Sequence, residues 1–142
     1  MMRDREILEA FQKAVGTAVL ESSTPTLPVK YLGVVFDPPT DQRYLECVFI
    51  PNNAQNTFWG REKLYQGVFR LLLHWNIDGL GYYPPMNALA SVANYFNKDR
   101  VLINGNVRVG IYNDPDFGAT IENGHEIIYP VSIAYRSLDV TN

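Results

Sequence analysis

A single cysteine, Cys47, leaves the chain without an internal disulfide and fits a reducing compartment. No stretch approaches the ~20 apolar residues of a membrane-spanning helix. The start, MMRDREILEAF, carries acids directly after its first arginine and has no apolar signal core. Positive charge is scarce as well: 12 Lys and Arg against 15 Asp and Glu give a net charge of −3, with no Lys/Arg cluster of more than two neighbours. A domain that grips nucleic acid through its phosphates carries the opposite balance. The motifs GxSxG, HExxH and CxxC are all missing. Asn104-Gly105-Asn106 reads as a turn and not a phosphate cradle, because no helix follows it.

What is present is an ordinary globular balance of 46% hydrophobic and 19% charged residues in 142 positions, which suits one domain over residues 1–142. The organising stretch is Glu62 to Asn76. Tyr65, Gly67, Phe69, Leu71, Leu73 and Trp75 form one alternating set, apolar except for the glycine. Leu64, Gln66, Val68, Arg70, Leu72 and His74 form the other, which mixes apolar with polar. Side chains alternate across a strand, so the pattern predicts a long central strand with one dry face and one mixed face.

Around it, residues 4–20 read as an amphipathic helix with Asp4 as N-cap. Glu21 to Pro28 is a connector, and Val29 to Phe36 a strand. Asp37-Pro38-Pro39-Thr40-Asp41 is a turn leading into a strand from Arg43 to Ile50, so these two strands should form a hairpin. Leu45, Cys47 and Phe49 should face the core. Pro51 to Gly60 is a polar loop with Phe58 and Trp59 at its tip. After the connector Ile77 to Tyr83, Pro84-Pro85 opens a second helix. Its expected buried stripe is Met86, Leu89, Ala90, Ala93 and Phe96, and it ends at Asn97-Lys98-Asp99-Arg100. Val101 to Gly105 crosses back, Val107, Val109 and Ile111 mark a fourth strand, and Asn113 to Gly124 is a long loop. In the last strand, Glu126 to Leu138, Ile127, Tyr129, Val131, Ile133 and Tyr135 point inward. Pro130 makes that strand an edge or gives it a bulge. The architecture is α+β: a mostly antiparallel sheet of about five strands with two helices on one face.

Two helices dry one face only. The other keeps Tyr44, Val48, Ile50, Val68, Leu72, Ile128 and Ala134 among Glu46, Gln66, Arg70, His74 and Arg136. That is more apolar surface than a lone monomer usually leaves in water. Either the long loops fold back over it or a neighbouring subunit covers it. The candidate interface residues are Val68, Arg70, Leu72 and His74 on this face, with Asn52, Asn53, Phe58 and Trp59 in the adjoining loop.

Chemistry finds little support. His74 and His125, the only histidines, stand on different elements with no ligand-spaced Glu, Cys or Asp, whereas a metal site needs three convergent ligands. Cys47 paired with His74 would make a nucleophile, but its apolar alternating set marks it as a small buried hydrophobe. Asp114, Asp116 and Glu122 gather oxygens in the penultimate loop without the spacing of a calcium loop. No cofactor is expected. The rival reading is a small ligand-binding or enzymatic domain with its site around Arg70, His74 and Arg136.

An ordered series of strings carries a family resemblance over most of the chain. These are Val35-Phe36-Asp37-Pro38-Pro39-Thr40-Asp41, Tyr44-Leu45-Glu46, Ile50-Pro51-Asn52-Asn53, Phe58-Trp59, Gly67 to Trp75, and Tyr83-Pro84-Pro85-Met86. Tyr129-Pro130-Val131 followed by Ala134-Tyr135 completes the series. The chain resembles the small tail terminator proteins of bacteriophages with long non-contractile tails. The resemblance implies a virion structural protein with no catalytic residues. It would form a hexameric ring of identical subunits, assembled in the host cytoplasm onto the head-proximal end of the tail tube. Its partners would be itself, the tube protein and a head connector, with DNA passing through the lumen without tight binding and no membrane involved. Another connector or tube protein of the same virion is the neighbouring alternative.

Overall fold

The structure is a computed structural model that describes residues 3–52, 55–56, 62–77, 81 and 83–140. Helix α1 spans Arg3–Leu20, one residue earlier than the pattern suggested, so Asp4 lies inside the first turn with Glu6 and does not cap it. Both acids face the positive end of the helix dipole. Ile7, Ala10, Phe11, Ala14, Val15, Ala18 and Val19 are buried at helical spacing. Gly16 has a packing reason: a Cβ there would lie 3.3 Å from the Tyr31 hydroxyl.

The strands are β1 (Val29–Lys30), β2 (Tyr44–Pro51), β3 (Gln55–Asn56), β4 (Glu62–Asn76), β5 (Val101–Asn104), β6 (Val107–Ile111), β7 (Asp116–Phe117), β8 (Ile121–Asn123) and β9 (Glu126–Val140). They form one sheet in the order β1-β2-β4-β9-β6-β5, with β3 attached to β4 and both β7 and β8 attached to β9. The sheet is therefore mixed and larger than the antiparallel sheet of about five strands expected.

Two corrections explain the difference. The hairpin over residues 29–50 does not form. β1 is only two residues long and pairs with β2 in parallel, Val29 opposite Leu45 and Lys30 opposite Glu46. Residues 31–43 carry the chain back to the same end of the sheet, through Gly33 at φ +73° and the double proline. The loop at 113–124 contains two short strands, which were too brief to show alternation.

β4 is central as expected. It pairs with β2 from Tyr44↔His74 to Pro51↔Gly67, and with β9 over 15 residue pairs from Glu62↔Val140 to Asn76↔Glu126. β9 is also internal, which overturns the edge reading of Pro130. The Pro130 carbonyl accepts from the Gly118 N–H at 3.0 Å, so its nitrogen points to the same flank. There β7 ends and β8 has not begun. The proline needs neither an edge nor a bulge, because it sits at a gap in the neighbouring ladder.

Helix α2 covers Tyr83–Ala93 and tightens into a 3-10 turn at Asn94–Phe96. Its buried side is Pro85, Ala88, Leu89, Val92, Ala93 and Phe96. Leu89, Ala93 and Phe96 were expected there. Met86 and Ala90 were too, but they face outward, because the stripe is rotated by one position. Both helices lie on the sheet face made by Phe69, Leu71 and Leu73 of β4 with Val131, Ile133 and Tyr135 of β9, all fully buried. Phe11 is the hub: it stacks on Phe69 at 4.5 Å and meets Tyr135 edge-on at 5.3 Å. Gly67 is the one gap in the dry set. A Cβ there would lie 2.5 Å from the Ile50 carbonyl oxygen and 2.9 Å from both Pro51 Cα and the Tyr135 hydroxyl.

Candidate functional site

The second sheet face is assembled by the other alternating sets of β2, β4 and β9. Register puts Val68 between Ile50 and Ala134, Arg70 between Val48 and Ser132, Leu72 between Glu46 and Pro130, and His74 between Tyr44 and Ile128. Val68, Arg70 and Leu72 are partly buried, and Ile50 at the rim is 41% exposed. The face is thus neither open nor fully roofed. Phe36, from the 31–43 connection, covers one corner by packing on Tyr44 at 4.9 Å. Asn52 is exposed and donates its backbone N–H to the Gln66 carbonyl at 2.9 Å. Asn53, Phe58 and Trp59 lie outside the described residues.

His74 anchors the polar end. It is 7% exposed and stacks on the Tyr44 ring at 4.3 Å. Its Nε2 is 2.7 Å from Glu46 Oε1 and its Nδ1 is 2.5 Å from Glu126 Oε1. An ionised carboxylate only accepts, so each contact needs a proton between its atoms. Lys30 Nζ adds positive charge 3.7 Å from Glu46 Oε2. The sequence flagged His74 and Glu46 as face residues but gave no sign of Glu126, which reaches the cluster only through the β4–β9 register.

These partners leave little for catalysis. Arg70 Nε donates to Ser132 Oγ at 3.3 Å, and the Arg136 guanidinium lies over the Tyr112 ring at 4.2 Å. Cys47 points to the opposite face, into the core, where burial pushes its thiol up to about 12; the pairing with His74 is geometrically impossible. Asp114 accepts from the Lys98 N–H at 3.0 Å. Among the described residues, no three His, Cys, Asp or Glu side chains converge in a way that would hold a metal ion.

An apolar cavity lies away from Arg70, His74 and Arg136. It has a volume of about 230 Å³ and runs between α2 and the β7–β8 link, bounded by Met86, Leu89, Ala90, Phe117, Tyr129 and Pro130. The most exposed aliphatic residue among those described lies off the second face too. Val35 is 94% exposed, beside Val34 at 61%. Sequence reasoning missed both, because a strand was expected to absorb them.

Comparison with known proteins gives a consistent picture. A family model described as "Phage tail terminator protein" matches residues 6–135. Seven solved chains are similar in structure; one superposes over the full length of both chains with a TM-score of 0.81 at 22% identity, which shows a shared fold. No curated protein matches.

Proposed function

The chain belongs to the phage tail terminator protein family, and from that premise we propose that it closes the head-proximal end of the tail tube as a hexameric ring. The ring stops further addition of tube subunits and offers its far side to the head connector. The observation that carries this reading is the family match over residues 6–135. The family is one of phage tail structural proteins, not enzymes.

The geometry supports the physical side of the proposal. A head-to-tail contact closes into a ring when its rotation allows, and each subunit then meets its neighbours through two different surfaces. The second sheet face, with the adjoining Pro51–Gly60 loop, is one of them in this reading. Val68, Leu72 and the exposed rim at Ile50 supply apolar area, while Arg70 and the His74 cluster supply polar contacts. The whole chain acts as one ring-building unit within the virion. Its net charge of −3 suits a lumen through which DNA slides without adhering to phosphate-binding side chains.

Deletion of the gene followed by negative-stain imaging tests the assignment. Overlong tails without heads are the expected result, and tails of normal length would refute it. Within that frame, Phe58→Ser with Trp59→Ser should give a folded protein that fails to cap, whereas full capping by the double variant would remove the 51–60 loop from the ring contact.

A further inference from the structure

The ring reading leaves the second contact surface unassigned, and the structure contains a matching pair of apolar features to fill it. Residues 31–36 wrap the β1 edge and are held at both ends. Tyr31 packs beside α1, where its hydroxyl crowds Gly16, and Phe36 packs on Tyr44 across the sheet. Between these anchors Gly33 turns the chain at φ +73°; Val35 stands out into solvent, and Val34 is exposed at the rim of a shallow hollow against α1 that Glu9, Gln12 and Lys13 also line. A segment pinned on both flanks does not collapse onto its own core, so the tip is presented outward.

On the other flank of the sheet lies the apolar cavity between α2 and the β7–β8 link. Met86 and Phe117 at its mouth are 51% and 52% exposed, and the floor is Leu89 and Tyr129. Among the described residues, no charged side chain lines it. At about 230 Å³ it falls below the roughly 300–1,000 Å³ of small-molecule pockets. An apolar cavity of about 150 Å³ takes up a benzene molecule, so this one has room for two aliphatic side chains. Three strand spacings, roughly 14 Å, separate β1 from β9, so one copy cannot fill its own groove with its own tip.

Resting on the ring reading, we infer that the Val34–Val35 tip of one subunit seats in the groove between α2 and the β7–β8 link of the next copy. Tip and groove lie on opposite flanks, which is the arrangement a head-to-tail ring requires. The tip adjoins the corner of the second sheet face at Tyr44, so the two surfaces form one continuous side of the subunit.

The test uses tails assembled with a Val35→Cys, Met86→Cys double variant and a short bismaleimide. Native Cys47 is buried with its thiol pushed up to about 12, so it stays silent. The expected result is a denaturing-gel ladder reaching six linked chains from the double variant, and no linked dimer from either single variant. A linked dimer from Val35→Cys alone would mean a two-fold contact and overturn the inference. So would a link from Val35→Cys to a different tail protein, or the absence of any link in tails that are correctly terminated. Val35→Asp provides a second measurement: thermal unfolding should be unchanged while tail capping falls at least tenfold. Capping at the wild-type level would refute the seating. If the wild-type gene proves unnecessary for tail length, the ring reading fails instead, and the two failures are told apart.

Discussion

Replacing Gly67 by alanine should destabilise the fold, although alanine is normally the better residue inside a regular element. The reason is a close approach of three strands. Gly67 pairs with Pro51 on one side and Tyr135 on the other. A methyl group there would meet the Ile50 carbonyl oxygen at 2.5 Å and Pro51 Cα at 2.9 Å. Both are backbone atoms on a paired strand and cannot swing aside as a flexible side chain would. Overpacking of this kind costs about 1–3 kcal/mol. Removing a glycine from the unfolded chain returns about 0.4–1 kcal/mol. Because the 2.5 Å clash is with backbone, the cost belongs in the upper half of the overpacking range, for a net loss of about 1–2 kcal/mol. At about 2.1 cal/mol/K per residue, a loss of that size lowers Tm by roughly 3–7 °C for a chain of 142 residues. Gly110→Ala is the matched control. Its methyl would find only the Arg136 carbonyl, at 3.7 Å, an ordinary contact. That variant should be as stable as the wild type or gain up to about 1 kcal/mol. Thermal unfolding followed by circular dichroism measures both. If the two variants melt alike, the close approach at Gly67 does not constrain the sheet and the reasoning is wrong.

Other perturbations reach different parts of the structure. Phe11→Ala removes the ring that joins α1 to β4 and β9, and should cost about 3–5 kcal/mol in urea unfolding; a loss below 1 kcal/mol would show that the cluster is not the hub of the core. His74→Leu removes the ring between Glu46 and Glu126 together with both of its charge-assisted hydrogen bonds, and should cost about 2–4 kcal/mol. Glu126→Gln should cost less, since one carboxylate remains to the imidazole, and equal losses would refute that account. Cys47 sets an alkaline limit. Its thiol is raised in the fold from about 9 to about 12, so the unfolded chain releases this proton first. The stability contributed by the buried thiol is whole below about pH 9 and is lost as pH rises toward about 12. The wild type should lose up to about 1.4 kcal/mol more per pH unit in that window than Cys47→Ala does. The tyrosines raised by burial, Tyr31, Tyr44 and Tyr135, act in the same direction but are common to both proteins. Parallel pH curves for the two proteins would dispose of the effect.

Much of this architecture was readable in the chain wherever alternation ran long. The 15 residues of β4 and the inward set of β9 announce themselves, because one slip of register would put Phe69 or Ile133 in water. α1 was equally plain. The failures came where length or context decided. Val29 to Phe36 has strand composition, but only two of its residues find a ladder, and the rest serve as an anchored projection. β7 and β8, at two and three residues, are strands only because β9 offers them an edge. Pro130 looked like an edge signal because sequence does not reveal which flank a missing N–H faces. Arg70, Leu72 and His74 share the second sheet face, as periodicity alone implied. The Glu46–His74–Glu126 contact and the groove beside Met86 depend on tertiary register and on a one-position rotation of α2, neither of which leaves a local trace.

The two ends of the sheet bear on how copies of this chain can meet. An unpaired strand edge is a template for adding another strand, and under the proposed capping role the protein has reason to blunt it. β1 is two residues long, and the chain leaves it at once for the 31–43 connection. β5 is four residues long and is tied to α1: the Asn104 side chain donates to the Glu6 carbonyl at 3.0 Å and accepts from Lys13 Nζ at 3.2 Å. Neither β1 nor β5 offers a long free ladder, so adding a strand to either of them would form few hydrogen bonds and, at β5, would disturb interactions already made. The proposed seating of a tip in a groove would fix one rotation between neighbours, whereas an extendable ladder would permit the unlimited growth that the proposed capping role has to prevent.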